Sequence, residues 1–328
     1  MLALERSLRT SNWAGAFASA PVDTVRGPRA AEIAGIGGWF IATPPIPVSS
    51  RDSFGPFVVS PLHGRSAAMW LKDGAFVSIK GCGWTWGGPR IRVSPKDPEL
   101  VFGLLAQSDA DREIAVSEWL AERDLDTARV MGAARLTHVP AGGETVFIAE
   151  ACWHAGKPMR PTLLYTRVRT PVRVADMPYL NSAVRSLAIA HAAELLGCEP
   201  ADASLQFAMT LGERLGRLHK AGCINDTLAP DNITIGCELL DFEWFTVPGI
   251  PLPDGTGLEL EHERRRKEMI YALEICRCFS LWAGPVPRFT DLMAWLRDGY
   301  ARGSGTELGF LDTLHKDIEC PGIDTAAS

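Results

Sequence analysis

No pair among the eight cysteines, Cys82, Cys152, Cys198, Cys223, Cys237, Cys276, Cys278 and Cys320, has the C-x-x-C spacing of a structural zinc site, so reduced thiols are expected. No apolar run is long enough to span a bilayer, which excludes a transmembrane helix as an expectation. The formal charge is −6 and no basic run marks a dedicated nucleic-acid or membrane surface. No internal repeat is evident. The N-terminal stretch ends in an A-x-A-like pattern, but Glu5, Arg6 and Arg9 interrupt the apolar segment that a secretory signal needs. A cytoplasmic location is expected.

What is present is an ordered change of character along 328 residues, enough for two lobes because single cores stop growing near roughly 250–300 residues. Residues 1–60, rich in Ala, Gly and Pro, are expected to be an N-terminal extension. Residues 61–176 read as a strand-rich lobe. Within them "AAMWLKDGAFVSIK" (67–80) is two strands joined at the Asp73-Gly74 turn, and Lys80 ends the second. The Gly-rich "GCGWTWGGP" (81–89) follows, then the helical "DADREIAVSEWLAER" (109–123), opened by acidic residues that suit a helix N-terminus. On its helical wheel Glu113 shares a face with Val116, Ser117 and Leu120, so its carboxylate faces inward. Further strands are expected near 128–139, 145–153 and 161–174. Residues 177–328 form a helical lobe with helices over 181–197, 204–222 and 262–284. The predicted fold class is α+β, a protein-kinase-like bilobal fold.

Four features occur in the order such a fold requires. Lys80 in "VSIK" matches a strand lysine that contacts nucleotide phosphates; Glu113 is its inward helical partner; Asn232 and Asp241 are placed to hold a divalent cation, Mg²⁺ or Mn²⁺. One part is missing. In "LAPDNITIGCELLDFEWF" (228–245) the residue before Leu228 is Thr227, where the kinase pattern H-R-D-L-x-x-x-N has its catalytic Asp, and a threonine hydroxyl is no general base near neutrality. The D-F-G triplet is Asp241-Phe242-Glu243. Either the site is inactive or another residue is the base.

Several blocks resemble the selenoprotein O (SelO) family of pseudokinases. They are Lys80-Gly81-Cys82-Gly83-Trp84-Thr85, Arg112-Glu113 with Ser117-Glu118, Thr166-Arg167-Val168 with Arg173, and Asp231-Asn232 with Asp241, all between about residues 60 and 250. The resemblance implies a kinase-like fold that transfers AMP from ATP to a hydroxyl group of a protein or small molecule. It places the general base on Asp231 and the metal on Asn232 and Asp241. Lys80 and Glu113 become the phosphate-orienting ion pair, Arg167 and Arg173 an additional phosphate clamp, and Gly64, Arg65, Gly81 and Gly83 further nucleotide contacts. Trp84 and Trp86 stand where the family has more polar residues. Two other functions fit the same residues: phosphoryl transfer to a metabolite or peptide, and an inactive nucleotide-binding scaffold.

Overall fold

The structure, a computed structural model, describes residues 2–10, 17–41, 57–59, 65–71, 73–83, 103–141, 144–147, 153–154, 157–158, 160–252 and 261–306. Its centre is a six-stranded antiparallel sheet built from β1 (Val22–Arg26), β2 (Phe57–Val59), β3 (Ser66–Trp70), β4 (Phe76–Lys80), β5 (Arg129–Leu136) and β6 (Thr162–Val168). The strand order is β1-β5-β6-β4-β3-β2. β3 and β4 are the expected hairpin, and Asp73 caps its turn by accepting the Ala75 N–H at 3.1 Å. The first sixty residues supply β1 and β2, so they are woven into the strand-rich lobe.

Seven α-helices lie among the described residues: α1 (Leu2–Thr10), α2 (Ala30–Ile36), α3 (Gln107–Glu122), α4 (Ser182–Leu196), α5 (Ala203–Lys220), α6 (Glu261–Ala283) and α7 (Phe289–Ser304). α4 starts where the Asn181 side chain accepts the Val184 N–H and stops at Gly197, whose left-handed φ of 70° a side chain would resist. The pleat of the sheet separates two cores. Ala68, Phe76, Leu164 and Val168 pack toward α3 and the helical lobe; Ala67, Val77, Ile79, Leu163 and Tyr165 pack on the other face with Ile33 and Phe40. Lys80 is in register with Leu164 and an even number of residues from Phe76, so it points toward the helical lobe. Ser117 fixes α3 against the sheet by accepting the Val130 N–H at 3.0 Å.

α5 and α7 cross at backbone contact because each carries a Gly-x-x-x-Gly: Gly212 and Gly216 on one, Gly299 and Gly303 on the other. A Cβ on Gly299 would lie 2.0 Å from the Met209 carbonyl oxygen, and one on Gly303 2.0 Å from that of Glu213. Neither obstacle is a side chain that can rotate away. Gly299→Ala should therefore force the helices apart and destabilise the fold by about 3 kcal/mol, the upper part of the usual cost of overpacking a filled core. Denaturant unfolding measures it, and a loss under about 1 kcal/mol, the size of ordinary surface or loosely packed effects, would show that the crossing has slack.

Candidate active site

Three chain segments meet at Lys80. Its Nζ lies 2.7 Å from Glu113 Oε1, 2.5 Å from Asp241 Oδ1 and 3.8 Å from Glu243 Oε2. β4 brings the lysine, α3 the inward glutamate, and the chain at 241–243 brings both remaining carboxylates. Glu113 is only 2% exposed and uses its second oxygen to accept the Phe242 N–H at 3.2 Å. Burial pushes the Glu113 carboxyl up against the pull of Lys80. Burial also acts to raise Asp241, but the Lys80 ammonium prevails and holds it below the usual carboxylate range. Lys80 itself is held above the usual lysine range: burial works against its charge, and Asp241 and Glu113 more than offset that.

The segment 223–241 sets Asp231 and Asn232 beside this cluster. It leaves α5 through the short strand Ile224–Asn225, which pairs with Phe245–Thr246, and then turns at Pro230. Asn232 is fixed twice: its Nδ2 donates to the Thr227 carbonyl at 2.9 Å, and its own carbonyl accepts the Leu240 N–H at 2.9 Å. The second bond sets Asn232 next to the residue that precedes Asp241. Asp241 has φ 59° and ψ 67°, a left-handed conformation rare for a non-glycine and of the kind stored at functional sites. Thr227, at the kinase base position, is used locally: its N–H and hydroxyl both reach the Asn225 Oδ1, at 3.0 and 3.3 Å. Among the described residues no hydrogen bond reaches the Asp231 carboxylate, while its carbonyl accepts from Arg173 Nη1 at 2.5 Å.

A cleft opens between the sheet and the segment that precedes Asp241. Ser66, Ala68 and Ser78 form its sheet side, Val168, Thr170 and Pro171 the connection that follows β6, and Arg173, Thr234 and Leu240 its floor. Burial lowers the Arg173 pKa, against the pull of Asp176, Asp241, Asp231 and Glu113. Arg65, next to β3, donates to the Leu104 carbonyl at 3.1 Å and approaches Glu243 Oε2 at 3.7 Å.

Other expected contacts are placed elsewhere. Arg167 is in register with Val77, on the sheet face opposite Lys80, and pairs with Asp73 of the hairpin turn. Gly81 donates its N–H to the Arg65 carbonyl at 2.7 Å, and at φ 88° a Cβ there would meet the Thr162 carbonyl oxygen at 2.4 Å. Gly83 donates to the Gly103 carbonyl at 3.2 Å. These two glycines serve the packing of the loop, and their amides are already taken. Gly64, Trp84, Thr85 and Trp86 lie outside the described residues.

Sequence patterns did not assign two residues that the geometry makes prominent. Glu243 stands where D-F-G has glycine, and burial pushes its carboxyl up to about 7 against the pull of Lys80. Arg112 of α3 donates to the carbonyls of Glu243 and Phe245, both at 2.6 Å, and of Pro251, pinning the chain after Asp241 along the helix that carries Glu113. A run of four basic residues, Arg264 to Lys267, opens α6, but Arg264 is spent on Asp226 and Arg265 on Glu261. Buried in α5, His219 bridges Glu268 at 2.6 Å and the Tyr300 hydroxyl at 2.8 Å.

The donors suit a hard divalent cation. Glu113, Asp241 and Glu243 each offer a carboxylate oxygen, all within 4.8 Å of one another, with the Asn232 amide on the neighbouring segment. No helix among the described residues is long and apolar enough to cross a membrane. The parts match a kinase-like bilobal fold: a strand lysine paired with a helix glutamate, a loop asparagine, and an aspartate after a short hairpin. No protein-family description matches the chain, and no curated protein matches it. Among solved structures it is similar to a Stt7 homolog from Micromonas algae, in a crystal soaked with ATP, at 14% identity and a TM-score of 0.32, over 81% of this chain and 75% of that one.

Proposed function

We propose that the chain is an ATP-dependent transferase that binds ATP between its lobes and moves AMP to an acceptor hydroxyl. The observation that carries this reading is the Lys80 ammonium, held by both Glu113 and Asp241. Such a preset cation is suited to phosphate oxygens and needs no reorganisation when they arrive. Arg173 and Arg65 flank it with fixed donors. Mg²⁺ or Mn²⁺ would be held by Asp241 and Asn232, with Glu113 and Glu243 in reach, and would neutralise phosphate charge.

The base is Asp231. Its carboxylate takes the proton of the acceptor O–H as that oxygen bonds to the α-phosphorus; the bond from this phosphorus to its bridging oxygen breaks, and pyrophosphate leaves. What favours Asp231 over Thr227 is that a carboxylate is a competent proton acceptor and that the Thr227 hydroxyl is directed to Asn225. Positioning and electrostatics supply most of the rate in such chemistry.

ATP labelled at the α- or the γ-phosphate, incubated with the protein, divalent metal and cell extract, decides between the reactions. Label from the α-phosphate on an acceptor is expected. Transfer of the γ-label would instead assign phosphoryl transfer, and transfer of neither would overturn the enzymatic reading. Asp241→Asn should weaken Mg²⁺-dependent ATP binding by about 30-fold in calorimetry, the equivalent of about 2 kcal/mol for a lost charged contact. Unchanged affinity would remove Asp241 from the site.

A further inference from the structure

Glu243 puts a carboxylate where the kinase pattern has no side chain. One of its oxygens, Oε2, lies 3.8 Å from Lys80 Nζ and 3.7 Å from Arg65 Nη2, so a single anionic oxygen sits opposite both cations. Those distances are within ion-pair range and beyond hydrogen-bond range, so among the described residues charge holds the carboxylate there and no directional bond does. Its location is not left to a free chain. Arg112 fixes the Glu243 carbonyl, and the Phe245 carbonyl two residues on is fixed by the same guanidinium. The backbone is pinned, and the side chain can leave the two cations by rotating about its own bonds.

We propose that Glu243 is a resident anion in the seat that Lys80 and Arg65 offer to a polyphosphate, so that the site selects metal-complexed nucleotide over free nucleotide. The inference rests on the reading of Lys80 and Arg65 as phosphate contacts. A free triphosphate entering this seat meets Glu243 in addition to Glu113 and Asp241, which already face Lys80. Like charges brought together in a partly enclosed site oppose binding, and an incoming cation removes the opposition while giving the displaced carboxylate a partner. Glycine at this position would remove the share of that opposition that Glu243 supplies.

The test is calorimetric titration of the full chain with ATP, once with Mg²⁺ and once with a chelator. Glu243→Gln keeps the shape of the side chain and Glu243→Ala removes it. In both variants metal-free ATP should bind about tenfold more tightly than to wild type, so that the ratio of metal-free to Mg²⁺ dissociation constants falls. Metal-free affinity that does not improve in either variant overturns the proposal, including the case in which only Mg²⁺-ATP affinity drops, which would make Glu243 a metal ligand and nothing more. Failure of wild type and both variants to bind ATP under either condition would instead overturn the nucleotide reading beneath it.

Discussion

Asp231→Ala should lower AMP transfer by about 10²–10⁴ while leaving the ATP dissociation constant nearly unchanged, the range usual for loss of a general base. The motive is structural as well as chemical. Asp231 adjoins Asn232, whose carbonyl ties the loop to Leu240 and hence to Asp241, and no hydrogen bond among the described residues engages the Asp231 carboxylate. A carboxylate beside the residues proposed to hold the metal, and not consumed by the fold, is available for a proton. Thr227 is the control. Thr227→Ala keeps the carbonyl that accepts from Asn232 and the N–H that reaches Asn225, and loses only a hydroxyl contact at 3.3 Å, so turnover should fall by no more than a few-fold. Single-turnover rates with each variant make the comparison. Wild-type turnover in Asp231→Ala withdraws the base assignment, and a worse loss in Thr227→Ala gives the hydroxyl a role in the chemistry.

The parts of this site that depend on local pattern were legible in the sequence. The Asp73-Gly74 turn, the helix bearing Glu113 and its inward face, and the helix ended by Gly197 are each set by residues a few positions apart. The parts that depend on long-range register were not. Arg167 lies one residue from Thr166, and because strand side chains alternate, that single step sends it to the face opposite Lys80. Likewise β1 joins the sheet by pairing with β5, more than a hundred residues away, so the composition of the first sixty residues suggested only an extension. Arg112 binds carbonyls, which any residue type provides, and leaves no pattern in the sequence it reaches. The Gly-x-x-x-Gly pair of α5 and α7 was visible as letters, but only the crossing gives it meaning.

Lys80→Met should destabilise the fold by about 3–5 kcal/mol, the usual cost of removing one partner from a buried charge pair. The size follows from what is left behind. Glu113, 2% exposed, would lose its ammonium partner at 2.7 Å and face the Asp241 carboxylate, with ligand oxygens of the two within 4.8 Å. Burial already raises the Glu113 carboxyl with the lysine present, so without it the group is pushed further toward its neutral form. Glu113→Gln alone should cost less, because Asp241 still holds Lys80 at 2.5 Å and an amide oxygen still accepts from the Phe242 N–H. The two changes should therefore couple: the Lys80→Met, Glu113→Gln chain should be more stable than Lys80→Met alone, since the second substitution removes the stranded charge. Denaturant unfolding of the four proteins measures the coupling. Additive losses would mean that water or local rearrangement neutralises Glu113 once the lysine is gone, and the three-carboxylate seat around Lys80 would then be a loose surface network with little hold on the position of Asp241.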